Sequence, residues 1–256
     1  MKLTRKIGIL FLFCIKLCLA QERDSYFLEG YEKQKVGDFR MAIELYELAM
    51  KNTGHNYYIW IAECKVELDD YSGAMIAYNN AIRDDSEQNH EAYFGRGQLK
   101  YKLQDYYGSI EDVEKAIKIS NSILKTGSYY CFLGKVKITK EDFNGAIADL
   151  NRAISIPKEQ PEAFKSYEEY RLFTGIHYLN EAFQYRGIAK IKLKNYEGAL
   201  KDFNRCIELK PDAENYFNRG LTYIRLGNKN KACIDFSKSG ELGYEKAYEA
   251  IRELCN

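Results

Sequence analysis

Residues 187–211 read GIAKIKLKNYEGALKDFNRCIELKP. A small residue, Gly187, is followed by a turn at Lys194-Asn195, an aromatic at Tyr196, and small Ala199; Phe203, Cys206 and a closing Pro211 complete the unit. Apolar side chains recur at three- and four-residue spacing on both sides of the turn, which predicts two amphipathic helices joined as a hairpin. The same order opens the chain's first copy at Gly30, Gly37-Asp38, Phe39, Ala42, Tyr46 and Ala49. Six copies can be aligned on the small anchors Ala42, Ala74, Ser109, Ala146, Ala199 and Ala232. A period near 34 residues implies a stacked array of helix pairs, because one hairpin cannot bury both its faces and needs a neighbour.

Each recurring slot has a physical reason. Gly30, Gly97, Gly134, Gly187 and Gly220 fall late in the first helix of a pair, where a larger side chain would hold the two helices apart. Phe39, Tyr71, Tyr106, Phe143 and Tyr196 open the second helix, and Tyr46, Tyr78, Val113, Leu150, Phe203 and Phe236 continue the buried stripe four residues after each anchor. Departures are few: Ala62 takes the glycine slot of copy two, Ser109 the alanine slot of copy three, and Lys229 the aromatic slot of copy six. First helices are expected near Ser25–Val36, Asn56–Leu68, His90–Leu103, Ser128–Lys140, Ile176–Lys194 and Ala213–Leu226, each followed by a partner of about 13 residues. The three prolines, Pro157, Pro161 and Pro211, all lie outside these helices.

The expected organisation is a segment 1–20, repeats one to four over 23–156, a helical insertion over 157–179, repeats five and six over 180–243, and a capping helix over 244–256. Met1 to Ala20 has the form of a secretory signal peptide: Lys2, Arg5 and Lys6 precede the apolar run Ile7 to Ile15, and Cys18-Leu19-Ala20 suits cleavage. Nine apolar residues followed by Lys16 make a short membrane anchor, so no transmembrane span is expected once the segment is removed. Its loss takes four basic residues from 38 and leaves the 37 acidic ones, so the remaining chain is nearly neutral. That balance gives no global attraction to nucleic acid. Secretion or a periplasmic location is the corresponding expectation.

Copies four and five are spaced 19 residues beyond the period, and the excess carries Phe164, Tyr167, Tyr170 and Phe173. It reads either as a binding elaboration on one face or as a longer loop packed on its own hairpin. After Leu242-Gly243 a last helix presents Ala247, Tyr248, Ile251 and Leu254 at helical spacing, as the exposed end of a stack requires.

Catalytic patterns are missing from the sequence. His55, His90 and His177 are scattered at helix starts, Gly95-Arg96-Gly97 follows no strand, and no Walker lysine, zinc-helix motif or nucleophile elbow occurs. No enzyme, cofactor or metal is expected. Beyond residue 20 five cysteines remain. Cys206 occupies a small-residue slot and suits a buried apolar role. Cys233 begins one helix and Cys255 ends the next, which in antiparallel packing permits a disulfide or leaves two buried thiols.

The slots Gly187, Tyr196, Ala199, Phe203 and Pro211, repeated through Tyr26 to Asn256, resemble the tetratricopeptide repeat (TPR) family. The resemblance implies an all-α, right-handed superhelical solenoid of about six helix-turn-helix repeats with a C-terminal capping helix. It also implies a protein or peptide partner held along the concave face of the first helices. The residues just after each small slot and one turn before it are Phe27, Tyr31, Ile59, Glu63, Phe94, Gln98, Cys131, Lys135, Gln184, Ile188, Phe217 and Leu221, followed a turn later by Tyr101, Ile138, Ile191 and Ile224. The Lys and Asn pair with which one TPR subgroup grips a terminal carboxylate is replaced by Phe27, Tyr31, Ile59 and Glu63. An apolar or amphipathic partner segment is therefore expected, in a secreted or periplasmic interaction scaffold. The alternative is a glycan- or peptidoglycan-associated envelope protein that stacks sugars on Tyr57, Tyr58, Trp60 or Tyr129.

Overall fold

The computed structural model describes residues 25–84, 89–156 and 176–255, and every regular element among them is an α-helix. In chain order these are α1 (25–35), α2 (Phe39–Thr53), α3 (Tyr58–Glu67), α4 (Tyr71–Arg83) and α5 (Asn89–Lys102). They are followed by α6 (Tyr106–Ile119), α7 (Ile123–Thr139), α8 (Phe143–Ser155), α9 (Ile176–Lys192), α10 (Tyr196–Leu209), α11 (Ala213–Arg225), α12 (Lys229–Glu241) and α13 (Glu245–Leu254). Two compact units divide the chain between Asp105 and Tyr106, within the third copy of the pattern. In each unit successive helices pack on one another, so hairpins stack in sequence order. The expected all-α array of helix pairs is what the structure shows.

A single local device sets most of the turns. One residue in the left-handed region ends the first helix, and the next residue caps the second. Asp69, Gln104, Glu141 and Lys194 take this strained φ without being glycine. Asp70, Asp142 and Asn195 then accept the backbone N–H of Gly73, Gly145 and Gly198 at 2.9, 2.9 and 3.0 Å. Past the turn, the small slots meet the buried stripe. A Cβ on Gly220 would lie 2.6 Å from Phe236 Cε1, and one on Gly187 2.8 Å from Phe203 Cζ. Close approach of the paired helices thus depends on the missing side chain.

The helix α7 starts at Ile123, five residues ahead of its expected start at Ser128, because the Ser122 hydroxyl caps it by accepting the Lys125 N–H. The segment 1–20 and insertion residues 157–175 lie outside the described residues. Residues 176–179, placed by sequence both at the end of the insertion and at the start of the first helix over Ile176–Lys194, begin α9, as that helix start has it. Tyr178 and Leu179 are buried there with Ala182 against Ala146, Leu150 and Ala153, so α9 packs directly on α7 and α8. The stack of the second unit continues from α8 to α9 across the inserted residues.

A repeated ion clamp fills the last two junctions of this second unit. Arg186, beside the Gly187 slot, donates to both carboxylate oxygens of Asp202 at 3.0 and 2.5 Å and to Asn151 of the preceding second helix at 2.6 Å. Arg219, beside Gly220, repeats this with Asp235 at 2.8 and 2.7 Å and with Asn204 at 2.9 Å. Both aspartates are buried, three residues after their anchors. Bidentate pairing satisfies charges that would otherwise be costly to bury.

At the C-terminus α13 lays Ala247, Ala250, Ile251 and Leu254 on the last hairpin, around Ala232 and Phe236. Tyr248, expected on that apolar face, is instead 51% exposed, and its hydroxyl donates to the Gly240 carbonyl at 2.9 Å. Cys233 and Cys255 form a disulfide with Cα atoms 5.7 Å apart, tying α13 to the start of α12.

Candidate functional site

In the first unit Phe27 does not line an open groove. Its ring stacks on Tyr57 at 4.8 Å and meets the Trp60 edge at 5.3 Å, closing the gap between α1 and α3. Ile59 is also a correction: it is buried with Ala81 and Ala92 between α3, α4 and α5. Residues one turn before the slot therefore pack against the next repeat, whereas those just after it remain open. Tyr31 is 42% exposed, and Glu63 and Gln98 are exposed. Phe94 and Tyr101 are half-buried on α5.

Around Glu63 a short polar relay crosses from α1 to α3. The buried Tyr46 hydroxyl donates to Gln34 Oε1 at 2.6 Å, and Gln34 Nε2 donates to Glu63 Oε2 at 3.4 Å. No cation pairs with Glu63 among the described residues. The surrounding protein raises its carboxyl above the ordinary glutamate value, with the Gln34 hydrogen bond opposing. Burial likewise raises the Tyr46 and Tyr78 phenols. Gln34 was not singled out from sequence; it lies one turn beyond Gly30, a position whose polarity is visible only once its neighbour is known.

In the second unit Lys135 lies 5.9 Å from the Phe132 ring centroid and 6.0 Å from that of Tyr185, a cation between two rings. Gln184 and Ile188 on α9 are half-buried. Cys131 is buried with the α8 and α9 core. Phe217 and Leu221 are corrections as well. Phe217 packs on Phe236 at 5.5 Å and Tyr244 at 4.9 Å, and Leu221 joins the same cluster beneath the cap.

The sugar-stacking alternative loses two of its four rings, because Tyr57 and Tyr129 are buried. Trp60 and Tyr58 are half-buried, Trp60 with an edge against Phe27. Cys64, Cys131 and Cys206 are free and buried; desolvation pushes the Cys64 and Cys206 thiols up to about 12 and raises that of Cys131 as well. Such thiols are poor nucleophiles at neutral pH. Among the described residues no His, Cys, Asp and Glu grouping suits a metal ion, and no helix is long and apolar enough to cross a membrane.

Comparison with known proteins places this geometry among repeat proteins. Residues 90–123, 127–160, 180–213 and 213–241 each match the family described as tetratricopeptide repeat. A curated relative, TPR repeat-containing protein MJ1428 of Methanocaldococcus jannaschii, is 23% identical over 240 residues, which cover 91% of this chain. The match spans only 39% of that relative. Among solved structures, Pseudomonas aeruginosa pilF superposes with a TM-score of 0.71 at 13% identity, covering 91% of this chain and 98% of its own. The structure titled YrrB, a TPR protein with an unusual peptide-binding site, gives 0.57 at 22% identity, covering 80% of this chain and 96% of its own. At these identities the solved structures establish similarity of fold.

Proposed function

The chain belongs to the tetratricopeptide repeat family, whose members mediate protein–protein interaction, and from that premise we propose that it is a non-enzymatic scaffold holding a partner protein or peptide on its first helices. One observation carries the reading: on the open face of the first unit, the Glu63 carboxylate is positioned by Gln34 and has no cation of its own among the described residues, beside the half-exposed ring of Tyr31. A carboxylate and an aromatic face are complementary to a segment that is apolar with a basic group. Of the apolar or amphipathic partner expected from sequence, this favours the amphipathic one. The peptide-binding site named for YrrB supports the class of ligand. A secreted or periplasmic setting is supported by the basic and then apolar segment 1–20 and by the Cys233–Cys255 bond, which persists in oxidising compartments.

The test is quantitative crosslinking and capture from the native cell envelope with the wild-type chain and a Tyr31→Ala/Glu63→Lys variant. Both substituted side chains are exposed, so circular dichroism should be unchanged. A protein captured by the wild type and lost from the variant supports the assignment. Identical partners in both samples would refute it.

A further inference from the structure

A second surface, independent of the first-helix face, lies at the junction of repeats one and two, where all three residues of the ion clamp are replaced; at Leu133, between repeats three and four, the arginine is also missing but the aspartate, Asp149, is kept and paired with Lys137 and Arg152. By repeat position, the Arg219, Asp235 and Asn204 of the last junction correspond to Ile61, Ala77 and Glu47 between repeats one and two. The bridge from arginine to the preceding second helix also recurs within the first unit, where Arg96 donates to Asn79 at 2.6 Å. At the Ile61 position neither the guanidinium nor its carboxylate exists. What replaces them is a cleft of about 290 Å³ between α2 and α4, floored by α3.

The base is apolar, while Glu47, Lys65 and Asn80 make the walls mixed. Ile61 and Ala77 are buried at the base, Met50 and Tyr58 stand at the sides, and Ile76 is 60% exposed at the mouth. A space this size lies at the lower bound for ligand pockets and suits a single large side chain rather than a cofactor. The rim holds charges of both signs, of which only the acidic one is left uncompensated among the described residues. Lys65 is engaged by Asp70 at 3.3 Å, whereas exposed Glu47 has no partner among the described residues. Charge over residues 25–105 is also acidic, with 14 Asp and Glu against 9 Lys and Arg.

We propose that this cleft between α2 and α4 is a docking site for a peptide segment that inserts one large apolar side chain, Leu, Met or Phe, and sets a neighbouring Lys or Arg against Glu47. The clamp that fills the last two junctions is exchanged here for an open socket. With Lys65 held by Asp70, the uncompensated Glu47 favours the basic neighbour and disfavours an acidic one.

The probe is a phage-displayed library of random 12-residue peptides, selected on the full chain and counter-selected on a variant in which the clamp is restored, Glu47→Asn/Ile61→Arg/Ala77→Asp. Since that triple substitution copies an arrangement the chain already uses, it should fold; Ile76→Glu, at an exposed position, serves as the second blocked variant. The expected result is a set of peptides that bind the wild type at least tenfold more tightly than either blocked variant and share a Leu, Met or Phe within four residues of a Lys or Arg. Glu47→Gln should weaken the same peptides severalfold and flatten their salt dependence. If no selected peptide distinguishes the wild type from the blocked variants, or if the discriminating peptides lack a basic residue, the proposal is overturned. Peptides lost only on Tyr31→Ala/Glu63→Lys would assign recognition to the first-helix face and count against this cleft.

Discussion

Removing Arg219 should cost far more than removing an arginine that contacts an equally buried aspartate elsewhere in the same unit. Asp235 has a side chain 4% exposed, and Arg219, 20% exposed, is its one ion-pair partner among the described residues. Arg219→Ala leaves that carboxylate buried and uncompensated, a change worth about 3–5 kcal/mol. Asp149 is buried to the same degree but holds two cations, Lys137 at 2.5 Å and the 63%-exposed Arg152 at 2.9 Å. Arg152→Ala therefore removes only a solvent-screened contact, about 1 kcal/mol or less. Arg186→Ala is intermediate at about 1.5–3 kcal/mol, because Asp202 keeps Lys190 at 2.7 Å. Urea unfolding of the three variants, followed by circular dichroism with the disulfide intact, reads the order directly. Hydrogen exchange assigns the loss to α11 and α12 if the array does not unfold as one unit. A second arm replaces both partners, Arg219→Met/Asp235→Leu, which should recover most of the stability. Equal losses from Arg219→Ala and Arg152→Ala would refute the reasoning, since burial of the aspartate would then matter and the number of its cations would not.

Three further outcomes follow from particular atoms. Ser109 is fully buried at an anchor slot that is alanine in the other copies, and its hydroxyl has no hydrogen-bond partner among the described residues; Ser109→Ala should stabilise by about 1 kcal/mol in urea unfolding, and a loss would show an unseen partner. Because the Glu63 carboxyl is raised in the folded chain, the native state holds more protons than the unfolded one between the ordinary glutamate value and the raised one, so stability falls as pH increases through that window. Glu63→Gln should accordingly raise the thermal midpoint at pH 7 and lose that advantage below about pH 4; an advantage independent of pH would exclude this origin. Ellman's reagent at pH 8 should find no reactive thiol in native protein lacking residues 1–20, and three after unfolding without reductant; five would exclude the Cys233–Cys255 bond.

The hairpins were legible in sequence because their determinants are local. Gly187, Lys194-Asn195, Tyr196 and Ala199 specify a close helix contact, a left-handed turn, a cap and a buried stripe within one copy, and the structure places each of them in that role. Which first-helix residues stay open is a property of two copies. Phe27 and Tyr31 are one helical turn apart on the same helix, yet Tyr57 and Trp60 of the following repeat cover the first and leave the second exposed. The same limit applied to Phe217, which is covered by Tyr244 from the cap. The ion clamp lies between these cases. Its residues appear in sequence as Arg-Gly at 186–187 and 219–220 with an aspartate 16 positions after each arginine, but their meaning depends on an asparagine from the preceding copy. Reading junctions instead of copies turns Ile61, Ala77 and Glu47 from ordinary tolerated variation into three coordinated departures at one place. A repeat protein that keeps its hairpins alike and varies its junctions can localise recognition without altering the fold, since the hairpin contacts stabilise the stack while the junction residues determine where it is open.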